Sequence, residues 1–210
     1  MLYLTGSSPA DPALRKCLID AGVGVLTSLQ SSRSARPQCH IYPYYGIDTG
    51  LFGPRNDFDL STYLRKLDTL PRDTCLLVTA PDVFGDGAAT LRMSLDVLPR
   101  IRALGFPAAF VAQPGVPEYP WDDFDCLFMG GPDEFKQTVG QVLLEEAKRR
   151  GKWCHIGRVN STVRYLWARE QGYDSADGTH IAFCPTVNAK RVMSWVTSAR
   201  QEVFNFGGEE

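Results

Sequence analysis

The sequence predicts a compact (β/α)8 barrel of the TIM type, an α/β fold in which eight parallel strands are ringed by helices. Two observations carry the expectation. Eight short apolar runs recur along the chain, most of them followed by a helical pattern or a long loop. Polar residues recur at the carboxyl ends of nearly every run, where a barrel collects its chemistry on one face. The second observation favours the barrel over a doubly wound open sheet. The 210 residues fall short of the ~250 usual for this fold, so some crossovers must be trimmed.

Taken in order, Leu2–Thr5 reads as the first strand. Pro12–Ala21 reads as a helix capped by Asp11, with Pro12 at its first position. Gly22–Thr27 is the second strand, and Ser31–His40, polar and containing proline, is a loop carrying Arg33 and Arg36. Tyr44–Asp48 is the third strand, Asp59–Leu67 a helix and Cys75–Ala80 the fourth strand. Gly87–Leu104 is one helix, since Leu91, Leu95, Leu98 and Ile101 follow at spacings of three and four and Gly105 stops it. Ala108–Ala112 and Cys126–Met129 are the fifth and sixth strands, ending in Gln113 and in Gly130-Gly131. Asp133–Arg150 is a helix with a basic last turn and Gly151 as its cap. Trp153–Gly157 is the seventh strand, Ser161–Gln171 a helix capped by Asn160, and Tyr173–Ala176 the eighth strand. A last helix runs from Val187 to Val203.

The apolar share of 44% and charged share of 22% are ordinary for a globular chain. We expect one domain over residues 1–204, with 205–210 a frayed tail. Net charge is −2 and the pI about 5.9, so a polyanion partner would need a local basic rim around an acidic pocket. Cys17, Cys39, Cys75, Cys126, Cys154 and Cys184 are scattered without CxxC or Cys/His ligand spacing, which points to reduced thiols rather than disulfides or zinc. The first residues lack the pattern of a signal peptide, and no apolar run approaches the ~20 residues of a membrane helix. A cytoplasmic location, with no membrane partner, is the expectation.

Three segments end strands in acidic residues: Gly46-Ile47-Asp48-Thr49-Gly50, Ala80-Pro81-Asp82-Val83-Phe84-Gly85-Asp86 and Gly172-Tyr173-Asp174-Ser175-Ala176-Asp177-Gly178-Thr179. In the last, two carboxylates lie three residues apart. Each acid alone could be a turn former or helix cap. Their joint placement with Gln113, Gly130, Gly131 and Arg158 predicts a carboxylate-lined mouth.

These segments, with Phe110-Val111-Ala112-Gln113, Phe128-Met129-Gly130-Gly131 and Gly157-Arg158-Val159-Asn160-Ser161, occur in an order that resembles the compact, often phage-encoded relatives of tRNA-guanine transglycosylase. That group includes enzymes that insert 7-deazaguanine bases into DNA and DNA glycosylases of related fold. The resemblance spans roughly residues 44–180. It implies a (β/α)8 barrel that breaks a nucleobase N-glycosidic bond with an aspartate nucleophile, here Asp177, with Asp174 beside it to orient the turn or tune its charge. Asp48 would contact the base and serve in proton transfer. Asp82 and Gln113 would read the base edge, since a carboxylate accepts from N–H groups and an amide both donates and accepts. The backbone of Gly130 and Gly131 would lie against the base, where a side chain would clash. A carboxylate near C1′ suits an oxocarbenium-like transition state.

The chain departs from the family in two places. The cysteine-rich zinc subdomain of the tRNA enzymes is reduced to Cys184, so no zinc or other cofactor is expected and DNA rather than tRNA is the implied partner. DNA would enter as a single strand or with a base flipped from a duplex, together with a free deazaguanine base where exchange occurs. The family's Asp-Ser-Gly-Gly-Phe-Gln signature stands as Asp48-Thr49-Gly50-Leu51-Phe52-Gly53, which keeps the acid and alters the floor of the base pocket.

Arg158, Asn160 and Ser161, helped by Arg164, are the expected phosphate contacts, because barrels often bind phosphate around strands seven and eight at a helix N-terminus. Arg33, Lys136 and Lys152 read as ordinary surface charges that could extend the rim. His155 reads as a hydrogen-bonded core histidine rather than a proton carrier. Trp121, in a loop, is the candidate for stacking on an extruded base, and Trp153 a core residue. Two other classes compete: a metal-dependent barrel hydrolase using Asp48, Asp82 and Asp177 as ligands, and a non-catalytic nucleic-acid binding module.

Overall fold

The structure, a computed structural model, describes residues 1–29, 35–51 and 58–205. Eight parallel strands close into a barrel in sequence order: β1 (Leu2–Thr5), β2 (Gly24–Ser28), β3 (Tyr45–Asp48), β4 (Cys75–Thr79), β5 (Ala108–Ala112), β6 (Cys126–Met129), β7 (Trp153–Ile156) and β8 (Ser175–Gly178). β8 returns to β1 with Leu2 opposite Ser175 and Leu4 opposite Asp177, which seals the sheet without an edge. Helices α1 (Pro12–Asp20), α2 (Ala35–Ile41), α3 (Leu60–Leu67), α4 (Gly87–Ser94), α5 (Leu98–Ala103), α6 (Asp133–Thr138), α7 (Gly140–Arg149), α8 (Thr162–Gln171) and α9 (Pro185–Asn205) surround it. The trimmed crossover is β5 to β6, where residues 113–125 return without a helix. The (β/α)8 architecture is the one the alternating runs predict.

Alternation along each strand makes two cores. Leu4, Leu26, Leu77, Ala109 and Cys126 fill the barrel interior, bordered by Tyr44, Phe128 and Trp153. The larger cluster, which includes Tyr3, Ile47, Val78, Phe110, Leu127, Ile156 and Ala176, faces the helices. Among the described residues no helix is long and apolar enough to cross a membrane.

The larger differences from the sequence expectation are local. The segment Ser31–His40, expected as loop, contributes residues 35–40 to α2; Pro37 falls in the first turn, where a backbone amide has no helical partner to lose. The long helix expected over Gly87–Leu104 breaks at residues 95–97 into α4 and α5. Pro99 explains the break, since its ring would clash with the carbonyl of Leu95 in a continuous helix. The helix expected over Asp133–Arg150 breaks at Val139, next to Gly140, a weak helix former. The fourth difference bears on the site. β8 begins at Ser175 rather than Tyr173 and runs through Asp177, so Asp174 precedes the strand and Asp177 lies near its far end. The expected cap of α8 also moves by one residue, from Asn160 to Ser161, whose side chain accepts from Arg164 N–H. Arg33, Phe52, Gly53 and the tail from 206 onward lie outside the described residues.

Candidate active site

A cavity of about 100 Å3 opens at the carboxyl ends of the strands. Asp48, Asp82, Gln113, Gly130, Gly131, Arg158 and Asp177, all expected at one mouth, line it together. Each strand delivers its residue by alternation: Asp48 ends β3, Gln113 follows β5, Gly130 follows β6, and Asp177 projects inward from β8 while Ala176 faces the helices. A Cβ at Gly130 would press within 2.7 Å of Val111 and 2.9 Å of Gln113 Nε2, so the position must be glycine for the amide beside it to keep its place.

Three carboxyl groups in so small a space shape one another's charge. Burial raises the pKa of Asp48, and the neighbouring Asp177 raises it further against weak donation from Gly50 N–H and the Thr79 hydroxyl. Asp82 is pushed up to about 6, first by burial and then by Asp48, with Gln113 and Arg158 opposing. Gln113 holds the wall with half of its capacity: its Nε2 donates to Asp82 Oδ2 at 2.8 Å and its Oε1 accepts from Gly85 N–H at 3.0 Å. Amide and carboxylate therefore form one rigid edge, with Asp82 oriented by its neighbour.

Asp177 is the inner terminus of a buried chain of polar groups. Trp153 Nε1 donates to Ser175 Oγ at 2.8 Å, Ser175 Oγ meets His155 Nδ1 at 2.7 Å, and His155 Nε2 meets Asp177 Oδ1 at 3.0 Å. Serine, histidine and aspartate in this contact invite comparison with a serine nucleophile and its base. Exposure decides otherwise. Ser175 and His155 are 0% exposed and Asp177 9%, and of the three only the carboxylate lines the cavity. The chain serves the aspartate.

Lys136 departs from its expected place on the surface. It is 5% exposed, donates from Nζ to Gly157 O at 2.8 Å, and lines the mouth beside Asp177. Burial lowers its pKa, opposed by the charge of Asp177. Phe84, 59% exposed on the rim, carries the Arg158 guanidinium over its ring at 4.9 Å. Arg158 itself adopts φ 64°, a left-handed backbone that costs a non-glycine residue about 1 kcal/mol. Beside the mouth lies a second cleft, of about 240 Å3, walled by Lys136, Arg158 and Arg164 with apolar Val163 and Trp167.

Asn160 and Ser161, expected as phosphate contacts, stand at the N-terminus of α8, outside the mouth: the Asn160 side chain accepts from Thr179 N–H at 2.7 Å, tying the loops after β7 and β8 together, and Ser161 caps α8. Other expected site residues stand elsewhere. Asp174 stands at the opposite end of the barrel from Asp177 and cannot orient it; its carboxylate accepts from Lys148 and from Cys154 N–H, each at 2.7 Å. Lys152, at the start of β7, donates to Phe124 O, away from the rim. Trp121 packs against Tyr119, Phe124 and the Arg150 guanidinium on the outer wall, so it is not placed to stack on a base in the mouth. Among the described residues no group of three or more His, Cys, Asp or Glu side chains is arranged to hold a metal ion, which leaves Asp48, Asp82 and Asp177 without the geometry of a shared ligand set.

His155 is the hydrogen-bonded core histidine the sequence suggests, its partner Asp177 apart; the residues that sequence reasoning undervalued are Lys136 and Phe84. Alternation on β7 places His155 on the same face as Trp153 and Gly157, so its inward direction was available. Nothing in the sequence separates Lys136 from a solvated lysine.

No family model matches the sequence, and no curated protein matches it. Among solved structures, the chain is similar to a cube-shaped, highly porous protein cage designed by fusing symmetric oligomeric domains. The identity is 13% and the TM-score 0.47, over 97% of this chain and 76% of that one, a level of likeness that carries no argument about function.

Proposed function

We propose that this barrel cleaves the N-glycosidic bond of a nucleobase in DNA with Asp177 as nucleophile, either exchanging a 7-deazaguanine-type base or leaving an abasic site. The observation that supports this most is the asymmetry among the carboxyl groups of one mouth. Asp177 is the carboxylate held by a buried hydrogen-bond chain. Asp48 and Asp82 have raised pKa values there. A hydrogen-bonded carboxylate beside acids of raised pKa suits the pairing of a nucleophile with a proton donor.

In the proposed reaction the extruded base enters the mouth with its edge toward Asp82, Gln113 and the Gly130-Gly131 backbone. Asp177 attacks C1′, a C–O bond forms as the C–N bond breaks, and the electron pair leaves with the base. Asp48, whose raised pKa favours the protonated form, gives its proton to the departing base. A second base, or water, then attacks C1′ from the vacated side and displaces Asp177, and Asp48 takes up the proton released. Arg158 and Lys136, which line both the mouth and the adjoining cleft, supply the local positive charge that a DNA backbone needs from a chain of net charge −2, whereas Arg164 in that cleft is paired with Asp133. Phe84 offers an exposed aromatic face for stacking.

The test is to incubate the protein with modified and unmodified duplex and single-stranded DNA and to look for released base, abasic sites and incorporated deazaguanine. Base release dependent on Asp177 is the expected result. Absence of glycosidic cleavage on any DNA or RNA, with hydrolysis of another ester or amide appearing on addition of a divalent metal, would replace this reading with the hydrolase.

A further inference from the structure

We propose that His155 is a positioning residue: held as its Nε2–H tautomer by Ser175 and Trp153, it fixes Oδ1 of Asp177 and leaves Oδ2 as the oxygen that attacks C1′. The inference rests on the glycosidic reading above and goes beyond it by assigning the atoms.

The tautomer follows from donor and acceptor capacity. An indole nitrogen only donates, so Ser175 Oγ accepts from Trp153 Nε1 at 2.8 Å. The Asp177 carboxylate can only accept, so His155 Nε2, 3.0 Å from Oδ1, carries the ring proton. In the neutral ring Nδ1 then accepts from the Ser175 hydroxyl, 2.7 Å away, while the serine oxygen takes the Trp153 N–H. The assignment runs outward from the carboxylate, and every donor in the series meets an acceptor.

Burial separates positioning from proton transfer. His155 and Ser175 are fully buried, and both ring nitrogens are occupied, so the imidazole has no route to a substrate proton. Its orientation is fixed on every side. His155 and Ser175 are register partners on β7 and β8, and the Phe128 ring lies 4.5 Å from the imidazole centroid. Gly157 completes the arrangement: a Cβ there would come within 2.9 Å of Phe128 and 3.3 Å of Asp177 Oδ1, so glycine leaves the carboxylate room to turn one oxygen to His155 and the other to the mouth. Donation to Oδ1 also stabilises the carboxylate as it leaves C1′ in the second half of the reaction.

The tautomer can be read directly by long-range proton–nitrogen NMR on protein labelled with 15N-histidine, which contains three histidines. The expected spectrum shows His155 protonated at Nε2 only, and Ser175→Ala should introduce an Nδ1–H population. In single-turnover base release, His155→Leu should lower the rate about 100-fold, the scale on which small misplacements act. DNA affinity should stay within about twofold, because the ring touches no substrate. His155→Gln, which can present an amide N–H near the Nε2 position, should recover about tenfold of that loss. An Nδ1–H tautomer in the unmodified protein would overturn the proposal. So would His155→Leu at full rate, or Gln no better than Leu in folded protein. If the unmodified protein releases no base from any DNA, the glycosidic reading fails instead, and the tautomer still decides the direction of the hydrogen-bond chain.

Discussion

Asp174 and Asp177 stand at opposite ends of the same barrel, and their surroundings have opposite character. At the amino ends of the strands, carboxylates are answered by donors. Asp174 accepts from Lys148 and from Cys154 N–H. Asp125, before β6, accepts from both arms of Arg102 and from Ala108 N–H. These acids hold strand starts and helix ends together. At the carboxyl ends, Asp48, Asp82 and Asp177 share a cavity with one another and with a buried lysine that has no carboxylate within salt-bridge distance among the described residues. The amino-end acids have Lys or Arg partners; the three acids of the mouth have none among the described residues and accept instead from Gly50 N–H, Gln113 and His155, and burial raises the pKa of Asp48 and Asp82. The same residue type is a staple at one end and, in the proposed reaction, a reagent at the other.

Substitutions that exchange these roles should separate activity from stability. Asp177→Asn should lower single-turnover base release at least ~1000-fold while DNA binding persists; a variant at full rate would return the nucleophile assignment to another residue. Asp82→Asn should raise stability, with a defined pH dependence. The folded-state pKa of about 6 lies above the ordinary 3.8, so the folded protein binds the proton more tightly. The resulting destabilisation is absent below the ordinary value, grows as pH rises, and is complete above about 6. Removing it should add up to ~3 kcal/mol at pH 7 and nothing at pH 3, as denaturant titrations at the two pH values would measure. Base affinity should fall at the same time, and in the unmodified protein it should weaken below pH 6 as Asp82 takes up its proton.

Asp174→Ala should behave in the opposite way, costing about 2 kcal/mol for the loss of two charge-assisted hydrogen bonds and leaving base release within about twofold. Chemical denaturation and single-turnover kinetics on the same sample would test both halves. The smallest effect belongs to Arg158→Gly. Glycine accepts φ 64° without a Cβ, so stability should rise by up to about 1 kcal/mol. The salt dependence of DNA binding should flatten by about one phosphate contact. An unchanged slope would remove Arg158 from the DNA interface.

The barrel was legible because its signal is distributed: eight apolar runs with polar ends survive errors at any single boundary. The mouth was legible for the same reason, since each of its seven expected lining residues follows from the end of its strand. What failed was local. Asp174 and Asp177 look like a pair in sequence, yet three residues of strand span about 10 Å and reverse the face. That distance is most of the barrel's height, and it turns a pair into two unrelated sites. Pro99 broke a helix that the leucine spacing made continuous, because periodicity reports a face and is blind to a missing amide. Lys136 and His155 needed three dimensions. Whether a lysine lies in solvent or against Gly157 O, and whether a core histidine meets Asp177, depends on neighbours distant in the chain. The hydrogen-bond chain joins residues 20 and 22 positions apart, beyond any spacing rule.

The proposed reaction turns on one bond, between the Asp177 carboxylate and C1′ of a nucleotide in DNA. Its most direct measurement is an acid quench of a single turnover followed by peptide mass mapping of any protein–sugar ester. The sugar is expected on the peptide carrying Asp177, absent from Asp177→Asn and retained in Asp174→Ala. A sugar adduct on a different residue, or base release by Asp177→Asn at the unmodified rate, would contradict the proposed reaction.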